Sequence, residues 1–62
     1  MKIRIKKQEL ISDFPYIVQC KNTSDYWVTV SMNINLLMAE EVAFKIKENP
    51  HILDATGYLF EY

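Results

Sequence analysis

A chain of 62 residues, half of them hydrophobic, with a formal charge of −1 and a single cysteine, excludes a good deal at once. It has room for one domain over residues 1–62 and is too apolar for intrinsic disorder; its lone Cys20 and lone His51 supply neither an intrachain disulfide nor the four ligands of a structural zinc site. No apolar run approaches the ~20 residues of a membrane span, and the basic start, Met1-Lys2-Ile3-Arg4-Ile5-Lys6-Lys7, lacks the apolar stretch of a secretory signal, so a cytoplasmic chain without membrane contact is expected.

Met1 to Lys7 alternates, with Ile3 and Ile5 on one side and Lys2, Arg4 and Lys6 on the other, which is the period of a half-buried strand. Gln8 to Leu10 extends this strand, and Ser12-Asp13-Phe14-Pro15 reads as the turn that ends it. Tyr16 to Lys21 is a second strand, rich in β-favouring residues. After the polar turn Asn22-Thr23-Ser24-Asp25, Tyr26 to Met32 is the strongest strand in the chain. Val28, Val30 and Met32 fall on one face of it and Trp27, Thr29 and Ser31 on the other.

Asn33 or Asn35 offers an N-cap for a helix over Leu36 to Glu48, with Lys45 and Lys47 placed late, where the helix dipole favours cations. Asn49-Pro50 stops it, since the residue before proline is pushed out of the helical region. His51 to Thr56 is a connector, Gly57 marks a positive φ, and Tyr58 to Tyr62 closes the chain as a fourth strand. The fold class is therefore α+β, a four-stranded mixed or antiparallel sheet with one helix packed on one face, in the order β-β-β-α-β.

On a helical wheel, Leu36, Met38, Ala39, Val42, Ala43 and Ile46 form the sheet-facing arc. Leu37 and Phe44 fall instead in the middle of the polar arc, two turns apart and flanked by Glu40, Glu41, Lys45 and Lys47. Either the Ile52-Leu53 loop folds over them, or they are the apolar centre of a contact surface with a charged rim. One helix covers one face of a sheet, so the other face receives Trp27 and some of the four tyrosines, residues that commonly anchor interfaces.

The catalytic reading finds little. Ser12, His51 and Asp54 are the only triad one could name, and nothing places Ser12 near the other two. Glu40 and Glu41 are adjacent, so they point about 100° apart on a helix. Cys20 lies mid-strand and reads as a buried thiol. Small tautomerases have a comparable length but need a catalytic N-terminal proline, where this chain has Met1-Lys2. The stretch Asp25-Tyr26-Trp27-Val28-Thr29-Val30 ahead of a Glu-rich helix resembles HicB-type antitoxins over barely a third of the chain. The proline- and glycine-containing loop of those proteins is absent after it, so no family follows.

Charge is unevenly spread. Residues 1–7 carry four cations, Lys2, Arg4, Lys6 and Lys7, whereas residues 8–62 set three lysines against eight acids, a net of −5. Four cations on one strand could meet phosphates, but a net acidic domain is unlike most nucleic-acid binders, and charges on an edge strand also guard against aggregation. The sequence points to a non-enzymatic protein-binding module without cofactor or metal. An inhibitor, antitoxin or accessory regulator of a bacterium or its phage is expected, with lysine-rich, Ile- and Asn-rich coding behind the source. Its partner is another protein or a second copy, a homodimer being favoured, and its contacts are Leu37, Phe44, Trp27, Glu40 and Glu41. A nucleic-acid-binding regulator using Lys2, Arg4, Lys6 and Lys7 is the alternative.

Overall fold

Three of the four expected strands form. The computed structural model describes residues 1–9 and 12–62, and in it β1 (Ile3–Lys7), β2 (Tyr16–Lys21) and β3 (Trp27–Asn33) make an antiparallel sheet in the order β1-β2-β3. Helix α1 (Leu36–Glu48) packs on one face, and a 3₁₀ helix, Pro50–Thr56, follows it. The class is α+β as expected, and the sheet is wholly antiparallel, one of the two arrangements expected.

Local chemistry sets most of the boundaries. β1 ends at Lys7; of its expected continuation, Gln8 and Glu9 are not strand and Leu10 lies outside the described residues. The ladder runs on by one bond, from the Gln8 N–H to the Pro15 carbonyl (2.7 Å). In the turn, the Phe14 N–H donates to the Ser12 hydroxyl. Between β2 and β3, the Asn22 side-chain carbonyl accepts from the Ser24 and Tyr26 N–H groups, which ties the turn to its own backbone. The helix cap is Asn35, whose side chain accepts from Met38 N–H at 2.9 Å. Asn33 has a different task. It is buried, and its amide donates to the Tyr16 carbonyl across the ladder.

The register of β2 against β3 shifts between Val18 and Gln19, leaving Val30 as an extra residue on β3. That bulge overturns the expected faces of the strand. Val28 opposite Cys20 faces α1, but Met32 opposite Ile17 is carried to the other face and is 54% exposed. A bulge belongs to a pair of strands, so alternation along one strand cannot report it.

The core lies between the sheet and α1. Val18, Cys20, Ala39, Ile46, Leu53 and Phe60 are buried there, with Ile3, Ile5, Tyr16, Val28, Val30, Val42 and Ala43 packed around them. Leu36 and Met38, expected to face the sheet, lie at the margins of that arc and are exposed. Burial holds the Cys20 thiol neutral by raising its pKa, because the thiolate would be desolvated there.

The expected fourth strand, Tyr58 to Tyr62, does not form, which leaves a sheet of three strands. Pro50 starts the 3₁₀ helix, Leu53 drops into the core, and Gly57 closes it at φ 80° with its N–H toward the Asp54 carbonyl. The tail is then held by one backbone bond, from the Thr23 N–H to the Leu59 carbonyl (2.9 Å), and by Phe60 in the core. Aromatic composition favours a strand only where an edge lies within reach and one face is buried. Here Phe60 is buried and its neighbours are exposed, so the tail inserts a single ring into the core and is otherwise held by hydrogen bonds at Tyr58, Leu59 and Tyr62.

Candidate interaction surface

Because no fourth strand covers it, β1 keeps an open edge among the described residues. The Lys21 N–H donates to the Lys2 carbonyl (3.0 Å), and the Gln8 N–H to that of Pro15. Antiparallel bonding alternates along a strand, so Lys2, Arg4 and Lys6 exchange bonds with β2, while Ile3, Ile5 and Lys7 turn their N–H and C=O groups outward. β3 has an outer edge too, but the bulge at Val30 breaks its spacing. The regular edge is β1.

Alongside that edge runs one flank of α1. A groove between them is lined by Ile3, Arg4 and Ile5 of β1 and by Glu40, Ala43, Phe44 and Lys47 of α1. Glu40 and Phe44 also line a second groove, which continues along the helix past Leu37, Glu41 and Lys45. Leu37 is 65% exposed and Phe44 62% exposed. The 3₁₀ segment does not shield them, since its Leu53 faces the core and its Ile52 is itself exposed. Four of the five expected contact residues, Leu37, Phe44, Glu40 and Glu41, thus come together on one flank. The signal missed in the sequence was the strand beside them, which becomes an edge only once the strand order is known.

Trp27 lies elsewhere. It pairs with Lys21 on the face of the sheet away from α1, half-buried, and the tyrosines do not join it there: Tyr16 packs against the core, while Tyr26, Tyr58 and Tyr62 are exposed beyond the strands. The Arg4 guanidinium sits 4.1 Å from its ring centroid and the Lys21 ammonium 5.3 Å. Arg4 also donates through Nε to the Gln19 side-chain oxygen (2.7 Å), and the Gln19 amide donates to the Thr29 hydroxyl (3.1 Å), a chain crossing all three strands. Alternation sets Lys2, Arg4 and Lys6 on this face, with Lys21 added, but places Lys7 on the other, where its ammonium lies 5.7 Å from the Tyr16 ring. Asp25 pairs with Lys21 at 3.2 Å; Lys2, Arg4, Lys6 and Lys7 make no ion pair among the described residues.

The remaining chemistry is at the chain's end. His51 Nδ1 lies 3.5 Å from an Asp54 carboxylate oxygen, the Tyr62 hydroxyl donates to Asp54, and the His51 and Tyr62 rings are 4.6 Å apart. All three are exposed, and the Ser12 hydroxyl accepts from Phe14 N–H in a separate turn, so the nominated triad does not assemble. Among the described residues no three His, Cys, Asp or Glu side chains group to hold a metal, and no helix is long and apolar enough to cross a membrane.

The hydrogen bond to Asp54, with the carboxylate charge beside it, raises the Tyr62 pKa. A raised acid pKa stabilises the fold while the group is protonated in the unfolded chain as well, and that contribution is lost as pH rises through the folded value. Cys20, raised by burial, has the same sign. Stability to urea is therefore expected to hold at neutral pH and to fall above about pH 9. Comparing denaturant midpoints of wild type and Tyr62→Phe at alkaline pH checks it, the variant falling less steeply.

Comparison with known protein families, curated proteins and solved structures gives no match. The functional reading rests on the geometry.

Proposed function

We propose that this chain is a non-enzymatic protein-binding module, its contact surface being the open edge of β1 together with the Leu37–Phe44 flank of α1. One observation carries the reading: Phe44, more than half exposed, stands beside a regular strand edge that is open among the described residues, and Leu37, similarly exposed, continues the apolar flank along the helix. Apolar anchors ringed by charge, here Glu40, Glu41, Lys45 and Lys47, have the layout of an interface core with its rim. An open edge adds main-chain hydrogen bonds to that contact. A cytoplasmic inhibitor, antitoxin or accessory regulator of bacterial or phage origin is the role such a module suits, and a second copy is one occupant of the surface.

A specific observation favours a second reading, a nucleic-acid-binding regulator. The face opposite α1 gathers Lys2, Arg4, Lys6 and Lys21, whereas Glu40, Glu41 and Glu48 lie on α1. Against it, Arg4 already covers the Trp27 ring, which leaves that aromatic poorly placed to stack on a base.

The two are separated by using the tagged chain as bait in nuclease-treated lysate of its source cell, beside a Phe44→Lys version. A protein retained by wild type and lost by at least about tenfold in the variant is the expected result, as for a central interface residue. Sedimentation of both at equal concentration reports whether the partner is a second copy. If retention requires that the nuclease be left out and ignores Phe44→Lys, the basic face is the site and the first reading falls.

A further inference from the structure

Resting on the protein-binding reading, and naming its partner class, we infer that β1 takes up an extended segment of a different protein in which acidic side chains alternate with apolar ones. The outward N–H and C=O groups of Ile3, Ile5 and Lys7 would complete the backbone ladder for a strand laid alongside. Side chains of an added strand alternate between the two faces of the extended sheet. On the α1 side they meet a groove lined by Ile3, Ile5, Ala43 and Phe44 together with Arg4, Glu40 and Lys47, whose four apolar side chains favour apolar residues there. On the other side they stand beside Lys2, Arg4 and Lys6, which select acids.

Charge also decides against the simplest alternative, two copies joined edge to edge. In an antiparallel pairing of the two open edges, whatever the register, a second β1 sets its own Lys2, Arg4 and Lys6 beside these three on the same face, since the outward groups of Ile3, Ile5 and Lys7 then pair with one another. Like charges directly opposite destabilise a sheet. Of the acids, Asp25 and Glu61 line a groove with Lys2 at one end of that row, Asp25 being paired with Lys21, and Glu40 and Glu41 are on the α1 side, so Arg4 and Lys6 keep no acid partner among the described residues. The cations that bar self-pairing are therefore the ones that admit an acidic strand. Edge protection alone would not require an apolar groove on the other face of the same strand.

The test uses the full chain, isotope-labelled for amide NMR, with two capped seven-residue peptides as probes. One alternates Glu with Val and Leu; the other replaces every Glu by Lys. The acidic peptide is expected to slow amide exchange at Ile3, Ile5 and Lys7 and to bind at least about tenfold more tightly than its lysine counterpart. Its affinity should fall as salt is raised from low to physiological, and again in Phe44→Lys. Lys2→Glu with Lys6→Glu, two side chains without an ion-pair partner among the described residues, should reverse the preference.

Equal binding of both peptides at the β1 edge, still lost in Phe44→Lys, overturns the acidic preference while the contact surface stands. If neither peptide binds although wild type retains a Phe44-dependent protein partner, strand addition is wrong and the parent reading survives. If neither binds and no such partner is retained, both fall. Protection at Trp27 and Thr29 instead, a dimer that Phe44→Lys dissolves, or tighter binding of an oligonucleotide on Arg4, Lys6 and Lys21 each overturns the inference too.

Discussion

Phe60→Ala is expected to remove most of the stability of this fold. Phe60 is 7% exposed and packs with Val18, Cys20, Ala39, Ile46 and Leu53, although it sits two positions before Tyr62 in a segment with no regular structure. Truncating a buried phenylalanine costs about 3–5 kcal/mol, the lost transfer energy plus the cavity left behind. A chain of 62 residues has only about 3–9 kcal/mol in all, at typical stability per residue. The neighbouring Leu59 is 75% exposed, so Leu59→Ala should stay within about 0.5 kcal/mol of wild type. Urea unfolding followed by circular dichroism measures both. A loss under ~1 kcal/mol for Phe60→Ala, against the ~3–5 expected of a filled core site, would mean the tail is an appendage.

That tail is also where reading the sequence failed, and the reason is physical. Helix α1 was legible to its last residue because its determinants are local: an asparagine cap, which the sequence narrows to Asn33 or Asn35 and the structure places at Asn35, a 3.6-residue apolar period, and the Asn49-Pro50 stop. β2 was legible for the same reason, since Tyr16–Lys21 is bounded by its own turns. Tyr58 to Tyr62 carries the composition of a strand, but a strand needs an edge within reach. The 3₁₀ helix uses up Pro50–Thr56, and Thr23 then holds Leu59 at the β2–β3 turn.

The proposed contact surface divides along the same line. The exposure of Leu37 and Phe44 was readable because a wheel needs nothing beyond the helix itself. The open edge of β1 was not, because an edge is defined by which strand is absent beside it. Nor was the chain from Arg4 through Gln19 to Thr29, which follows from the β1-β2-β3 order. The bulge at Val30 likewise depends on how β3 meets β2, and it decides that Met32 joins the outer face.

Helix α1 should separate folding from binding when two of its apolar residues, two positions apart, are each cut back to alanine. Ile46 is 1% exposed, and Ile46→Ala is expected to cost about 2–5 kcal/mol, with a Tm lower by ~15 °C for a domain of this size. Phe44 makes no contribution to the buried cluster, and alanine is the better helix former by a few tenths of a kcal/mol, so Phe44→Ala should leave stability within about 0.5 kcal/mol or raise it slightly. The binding measurements should rank the two in the opposite order: a folded Phe44→Ala that has lost its partner, and an Ile46→Ala that retains it in proportion to its folded fraction. This crossing is what distinguishes a contact residue from a packing one. If Phe44→Ala costs ~2 kcal/mol or more of stability, as a packed aromatic would, the ring is holding α1 to β1 and the surface loses its centre. If it costs nothing in stability and nothing in binding, Leu37 and Phe44 are ordinary exposed side chains, and the search for a partner moves to the Arg4 face of the sheet.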